Sequence, residues 1–205
     1  MAVGGLIGVI YLTGVDALYG AEITGETVYK HCVACHGARG EGGKEGVYPR
    51  IAGLPQGYLE RQLRDFQSQQ RVNKPMIPIF KHERFDDQVI ETVAAYVAAM
   101  AEPPLNLWPY QPAADALQGF KSRSAFDAAG KAAYESGCAG CHGTDGSGEP
   151  AKAAPPLVNQ YTAYLDKQIR DFAAGKRVHP RSDDCASIAP DQREGLFSHL
   201  VELGK

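Results

Sequence analysis

The chain has 205 residues, 44% of them hydrophobic and 22% charged, with a formal net charge of −3. This is the composition of an ordinary globular protein of one or two domains. Its charges are spread evenly over the two halves, which excludes a strong field for nucleic acid or an anionic membrane.

Residues 2–15, AVGGLIGVIYLTGV, are uncharged and apolar. The run has the length of a secretory signal's hydrophobic region and is short for a membrane span. No Lys or Arg precedes it, and Tyr19 is bulky for a position just before a cleavage after Ala21. Three readings of residues 1–21 stand: a cleaved signal, a retained membrane anchor, and a misplaced start or buried helix. The first two export the chain to the periplasm, either soluble or tethered to the inner membrane through residues 2–15.

Cys32-Val33-Ala34-Cys35-His36 follows, and it returns 106 residues later as Cys138-Ala139-Gly140-Cys141-His142. Two cysteines, two spacers and an adjoining histidine form the attachment signature of c-type haem. The spacing suits thioether bonds to the two vinyl groups of one porphyrin, after which the histidine offers an imidazole nitrogen to iron. A four-thiolate zinc site would leave both histidines unexplained. A thioredoxin-like pair would need a βαβ setting that is missing here. Two covalently bound haem c groups are therefore expected, with Cys32, Cys35, Cys138 and Cys141 attached and His36 and His142 as iron ligands. A half-chain of this size has a marginal polypeptide core, and a buried haem supplies apolar interior.

Around the first motif, Gly25–Tyr29 reads as a helix with Val28 and Tyr29 turned inward. A Gly-rich stretch after His36 implies backbone passing close to the porphyrin. Tyr58, Leu59, Gln62, Leu63 and Phe66 recur at helical spacing, with Arg61, Arg64 and Asp65 outside. RVNKPMIPIF at 71–80 holds two prolines and cannot be helical throughout. A third helix is expected at about 86–99, with Asp86 or Asp87 as its N-cap. This places a first domain at 22–100. Residues 101–125 form a linker stiffened by four prolines, but its Leu105, Leu107, Trp108 and Tyr110 predict that it packs on the domains. The second domain, 126–205, repeats the first at the same offset. Pro49 maps to Pro155, Tyr58-Leu59 to Tyr164-Leu165, Gln62 to Gln168, and Arg71-Val72 to Arg177-Val178.

This pattern resembles the cytochrome c4 family over about residues 23–203. The resemblance implies an all-α chain of two tandem class I cytochrome c domains facing each other across a pseudo-twofold. It implies that Pro49 and Pro155 steady His36 and His142 through backbone carbonyls, and that Met76 is the sixth ligand of the first haem. No methionine follows Met100. Aligning Met76-Ile77-Pro78-Ile79 with Cys185-Ala186-Ser187-Ile188 puts Cys185 at the methionine position, after a three-residue insertion. A thiolate there favours Fe(III) and lowers the potential, where methionine raises it. A merely buried Cys185, ligation by His179, and an open iron remain as alternatives. His31, His82 and His199 are expected to face solvent.

Gln62, Gln168, Arg71 and Arg177 are candidates to hold haem propionates or neighbouring backbone. The leading expectation is a carrier of single electrons between respiratory partners: a terminal oxidase, a quinol-oxidising complex or a periplasmic dehydrogenase. The second is an enzyme similar to thiosulfate dehydrogenases, which oxidise sulfur compounds at a Cys-ligated haem. In that case Lys176, Arg177 and Arg181 would bind the anion.

Overall fold

The computed structural model describes residues 23–82, 85–179 and 188–205. The leader at 1–21, Arg181 and Cys185 therefore lie outside the described residues. Among those described the chain is helical, with two isolated β-bridges, Gly43–Tyr48 and Glu149–Ala154, at equivalent places in the two halves. The helices are α1 (Gly25–Tyr29), α2 (Val33–His36), α3 (Gln56–Gln67), α4 (Ile77–His82), α5 (Asp87–Ala98), α6 (Arg123–Gly137), α7 (Ala139–His142), α8 (Thr162–Ala173) and α9 (Pro190–Leu203).

Local chemistry sets the helix starts. Thr24 and Thr27 form a capping box at α1. The Asp86 carboxylate accepts from the Val89 N–H at 3.0 Å, and the Ser122 hydroxyl accepts from the Ala125 N–H at 3.1 Å. Such caps satisfy amide donors that the helix itself leaves open. Pro78 sits in the first turn of α4, where its missing N–H costs no helical bond.

In each half the first helix crosses the last one at a glycine. A Cβ on Gly25 would lie 2.2 Å from Tyr96 Cβ, and one on Gly130 would lie 2.0 Å from the Gly195 carbonyl oxygen. Only a residue without a side chain permits that approach of α1 to α5, and of α6 to α9. Val28, Tyr29, Leu59, Val89, Ile90, Val93 and Val97 close the first core; Tyr134, Leu165, Leu196, Phe197 and Leu200 close the second.

The linker packs as expected. Leu105 N–H donates to Asn159 Oδ1 at 2.9 Å, and the Tyr110 hydroxyl bonds the Glu194 carboxylate. The Lys205 ammonium lies 3.1 Å from the centre of the Trp108 ring. Two expectations need correction. Arg61 does not simply face solvent but donates to the Ala153 carbonyl of the other half at 2.9 Å. His199 is half-buried, 5.5 Å from the Tyr134 ring, because α9 turns it toward α6.

A candidate dihaem site

Both pentapeptides are built alike. Cys32 and Cys138 stand at the N-caps of α2 and α7, and His36 and His142 end those helices buried. His36 Nδ1 donates to Pro49 O at 3.0 Å, and His142 Nδ1 donates to Pro155 O at 2.8 Å. The loop after each histidine folds back so that Gly42 N–H and Gly148 N–H donate to the His36 and His142 carbonyls, each at 2.8 Å. Gly37 and Gly143 leave their helices at φ +78° and +81°, where a side chain would be strained. The Tyr29 and Tyr134 hydroxyls then bond the Gly37 and Gly143 carbonyls. Each imidazole is thus fixed through Nδ1, which leaves Nε2 to ligate. Burial outweighs the Pro49 bond and pulls the His36 pKa down, keeping it neutral and ready to bind metal.

The two sites open into one continuous cavity of about 520 Å³. Its wall includes Cys32, Cys35, His36 and Met76 from the first half, and Cys138, Cys141, His142 and His179 from the second. The four motif cysteines form no disulfide with one another. Burial and the adjacent Cys35 push the Cys32 thiol up to about 11, so it is protonated at neutral pH. The His179 ring lies 6.2 Å from the His142 ring, centroid to centroid, and stands edge-on to Phe172 at 5.0 Å.

Between the halves lies a polar hub that the sequence did not disclose as a unit. Arg71 donates to Gln62 Oε1 at 2.8 Å, to Gln168 Oε1 at 2.9 Å and to the Tyr164 hydroxyl at 3.0 Å. Arg177 answers with bonds to Gln168 Oε1 at 2.7 Å, Gln62 Oε1 at 2.8 Å and the Tyr58 hydroxyl at 2.9 Å. Each guanidinium also lies over a phenyl ring, Arg71 on Phe66 and Arg177 on Phe172. Burial raises the Tyr164 phenol, but the two cations outweigh it and hold it below its ordinary value. Neither arginine has a carboxylate ion-pair partner among the described residues, and the buried Gln168 Nε2 has no hydrogen-bond acceptor. A buried and a half-buried cation and an unused amide donor on the cavity wall fit the carboxylates of a haem.

A second bridge is one-sided. The Arg50 N–H donates to Gln160 Oε1 at 3.0 Å, and Gln160 Nε2 donates to the Arg50 carbonyl at 2.9 Å. The Arg50 side chain is fully buried and donates to the carbonyls of Asn159, Ala52 and Val158 at 2.6, 2.7 and 3.4 Å. Only its place beside Pro49, and the loss of that cation at the matching Pro156, could have marked it in the sequence.

Comparison with known proteins agrees with this construction. A family model described as cytochrome c matches residues 23–101 and 128–193. Cytochrome c4 of Pseudomonas aeruginosa is 30% identical over 82% of this chain and 79% of its own length. The chain belongs to the cytochrome c4 family. A relative of Stutzerimonas stutzeri named thiosulfate dehydrogenase electron acceptor is 34% identical over 85% of this chain and 79% of its own. The crystal structure of reduced cytochrome c4 from Pseudomonas stutzeri superposes with a TM-score of 0.67 at 25% identity, covering 86% of this chain and 95% of its own. As a family member the chain is a dihaem electron carrier with covalently bound haem c, built from two tandem helical cytochrome c domains. Among the described residues no helix is long and apolar enough to cross a membrane.

Proposed function

We propose that the protein moves single electrons between periplasmic redox proteins through two chemically unlike irons. Cys32 and Cys35 would bind one haem and Cys138 and Cys141 the other, with His36 and His142 as proximal ligands and Met76 as the first iron's sixth ligand. Each haem supplies a one-electron Fe(III)/Fe(II) couple. The observation carrying this reading is the single cavity bordered by both motifs, which makes the two sites neighbours. Around it the chain holds each imidazole by a backbone carbonyl, lines the walls with apolar side chains that exclude water, and offers Arg71, Arg177 and Gln168 to carboxylates.

The second iron has two candidate sixth ligands. Cys185 follows from the repeat, and its thiolate would stabilise Fe(III). His179 lines the same cavity as His142, with the two ring centroids 6.2 Å apart, and would be placed to share that iron. Either ligand places the second centre below a methionine-capped one.

The name of the Stutzerimonas relative points to a thiosulfate-oxidising dehydrogenase as electron donor, with a terminal oxidase or a quinol-oxidising complex among the other partners. Membrane association through residues 2–15 belongs to the same reading. The enzyme alternative would need Arg177 for a sulfur anion, whereas the carrier reading assigns that guanidinium to a haem carboxylate. Purified protein mixed with thiosulfate and an artificial acceptor tests the choice. The carrier reading expects no turnover and fast electron exchange with a reduced donor protein; steady thiosulfate turnover would establish the enzyme.

A further inference from the structure

We propose that Arg50 is a potential-setting residue for the first haem alone, a buried positive charge that favours Fe(II) in domain 1 and has no counterpart in domain 2. The inference deepens the reading of two unlike irons but does not depend on which ligand caps the second. Arg50 follows Pro49, whose carbonyl holds His36, and all three line the cavity that the two sites share. Its guanidinium is wholly removed from solvent and is surrounded by backbone carbonyls. An arginine keeps its proton even when buried, so the site retains a full charge in a medium that screens poorly.

Its paired carboxylate is Glu102, 3.1 Å from Nη1, whose side chain is 42% exposed. Water screens that carboxylate more than it screens Arg50, so the pair leaves a net positive field inside the wall. A positive field opposes the loss of an electron from iron and raises the potential of the nearer centre. At the matching place in domain 2 stands Pro156, uncharged and without an N–H. The asymmetry is therefore electrostatic as well as a matter of ligands.

The backbone around residue 50 is held independently of its side chain, by both polar atoms of the Gln160 amide. A substitution there can thus alter charge while the loop stays in place. The test is a potentiometric titration of the intact dihaem protein, with the first centre identified by a separate Met76→Leu sample. In Arg50→Gln the equilibrium constant for electron transfer from the second centre to the first should fall about tenfold, or about 59 mV for one electron. That shift should lie in the first centre's midpoint. Arg50→Lys should stay within about twofold of the parent. Glu102→Gln keeps an acceptor for Arg50 and Asn159 but loses the countercharge, so the same constant should rise by about two- to threefold.

Opposite shifts at 50 and 102 are not produced by loosened packing. The proposal is overturned if Arg50→Gln leaves the first midpoint unmoved or moves both alike. It is equally overturned if Arg50→Lys falls as far as Arg50→Gln. Should Arg50→Gln fail to fold, Glu102→Gln decides, and an unchanged or lowered first midpoint there refutes the idea. Failure of the ligand reading would show separately, as two like centres in the parent protein.

Discussion

The bonds that hold the two motif histidines match between the halves, whereas other residues lining the cavity do not. His36 and His142 are held by matching proline carbonyls, matching glycine amides and matching tyrosines. The first half lines the shared cavity with Met76, whereas the second has no methionine and lines it with His179. Arg50 of one half answers to Pro156 of the other. The shared part is what any c-type haem needs for attachment and imidazole orientation. The unshared part sets potential, which depends on ligand charge and local field rather than on attachment. Duplication supplied the frame, and on the proposed reading substitution at a few positions would make the two centres different.

The comparison can be broken most severely at the first sixth ligand. Met76→Leu should remove the thioether from one centre and lower its midpoint by about 0.2 V or more, leaving the other within a few hundredths of a volt; spectroelectrochemistry reads both. Next come the helix crossings that both halves share. Gly130→Ala forces a methyl into the Gly195 carbonyl and should cost about 2–3 kcal/mol of stability in denaturant unfolding. Gly25→Ala should cost a similar amount through Tyr96.

The hub sharpens the symmetry. Arg71→Leu and Arg177→Leu should each cost about 2 kcal/mol, and equally, because each arginine bonds both glutamines and the opposite tyrosine. Their double variant should cost clearly less than the sum, since both act on shared acceptors. The smallest effect belongs to the α5 cap, where Asp86→Ala should cost about 1 kcal/mol in the same unfolding measurement.

Much of this was legible in the chain. The constant offset between the motifs disclosed the duplication, and the apolar spacing disclosed α1, α3 and α5, with the cap of α5 narrowed to Asp86 or Asp87, of which Asp86 is the cap. What escaped were side chains whose partners lie in the other domain. Gln62 read as a candidate for a haem propionate or neighbouring backbone, yet it is a shared acceptor for two arginines. Arg177 looked like an anion-binding surface charge, and Arg61 like a solvated one, but both cross the interface. Periodicity reports which face of a helix is covered and is silent about what covers it. Arg50 could be noticed only as a break in the repeat.

The central claim is that the two irons carry unlike sixth ligands and therefore unlike potentials. An EPR-monitored redox titration of the oxidised dihaem protein measures both at once. It should give two low-spin signals, one of histidine–methionine type and one not, which disappear in separate one-electron steps with the methionine centre reduced first. Two signals of the same histidine–methionine type, vanishing together, would contradict it.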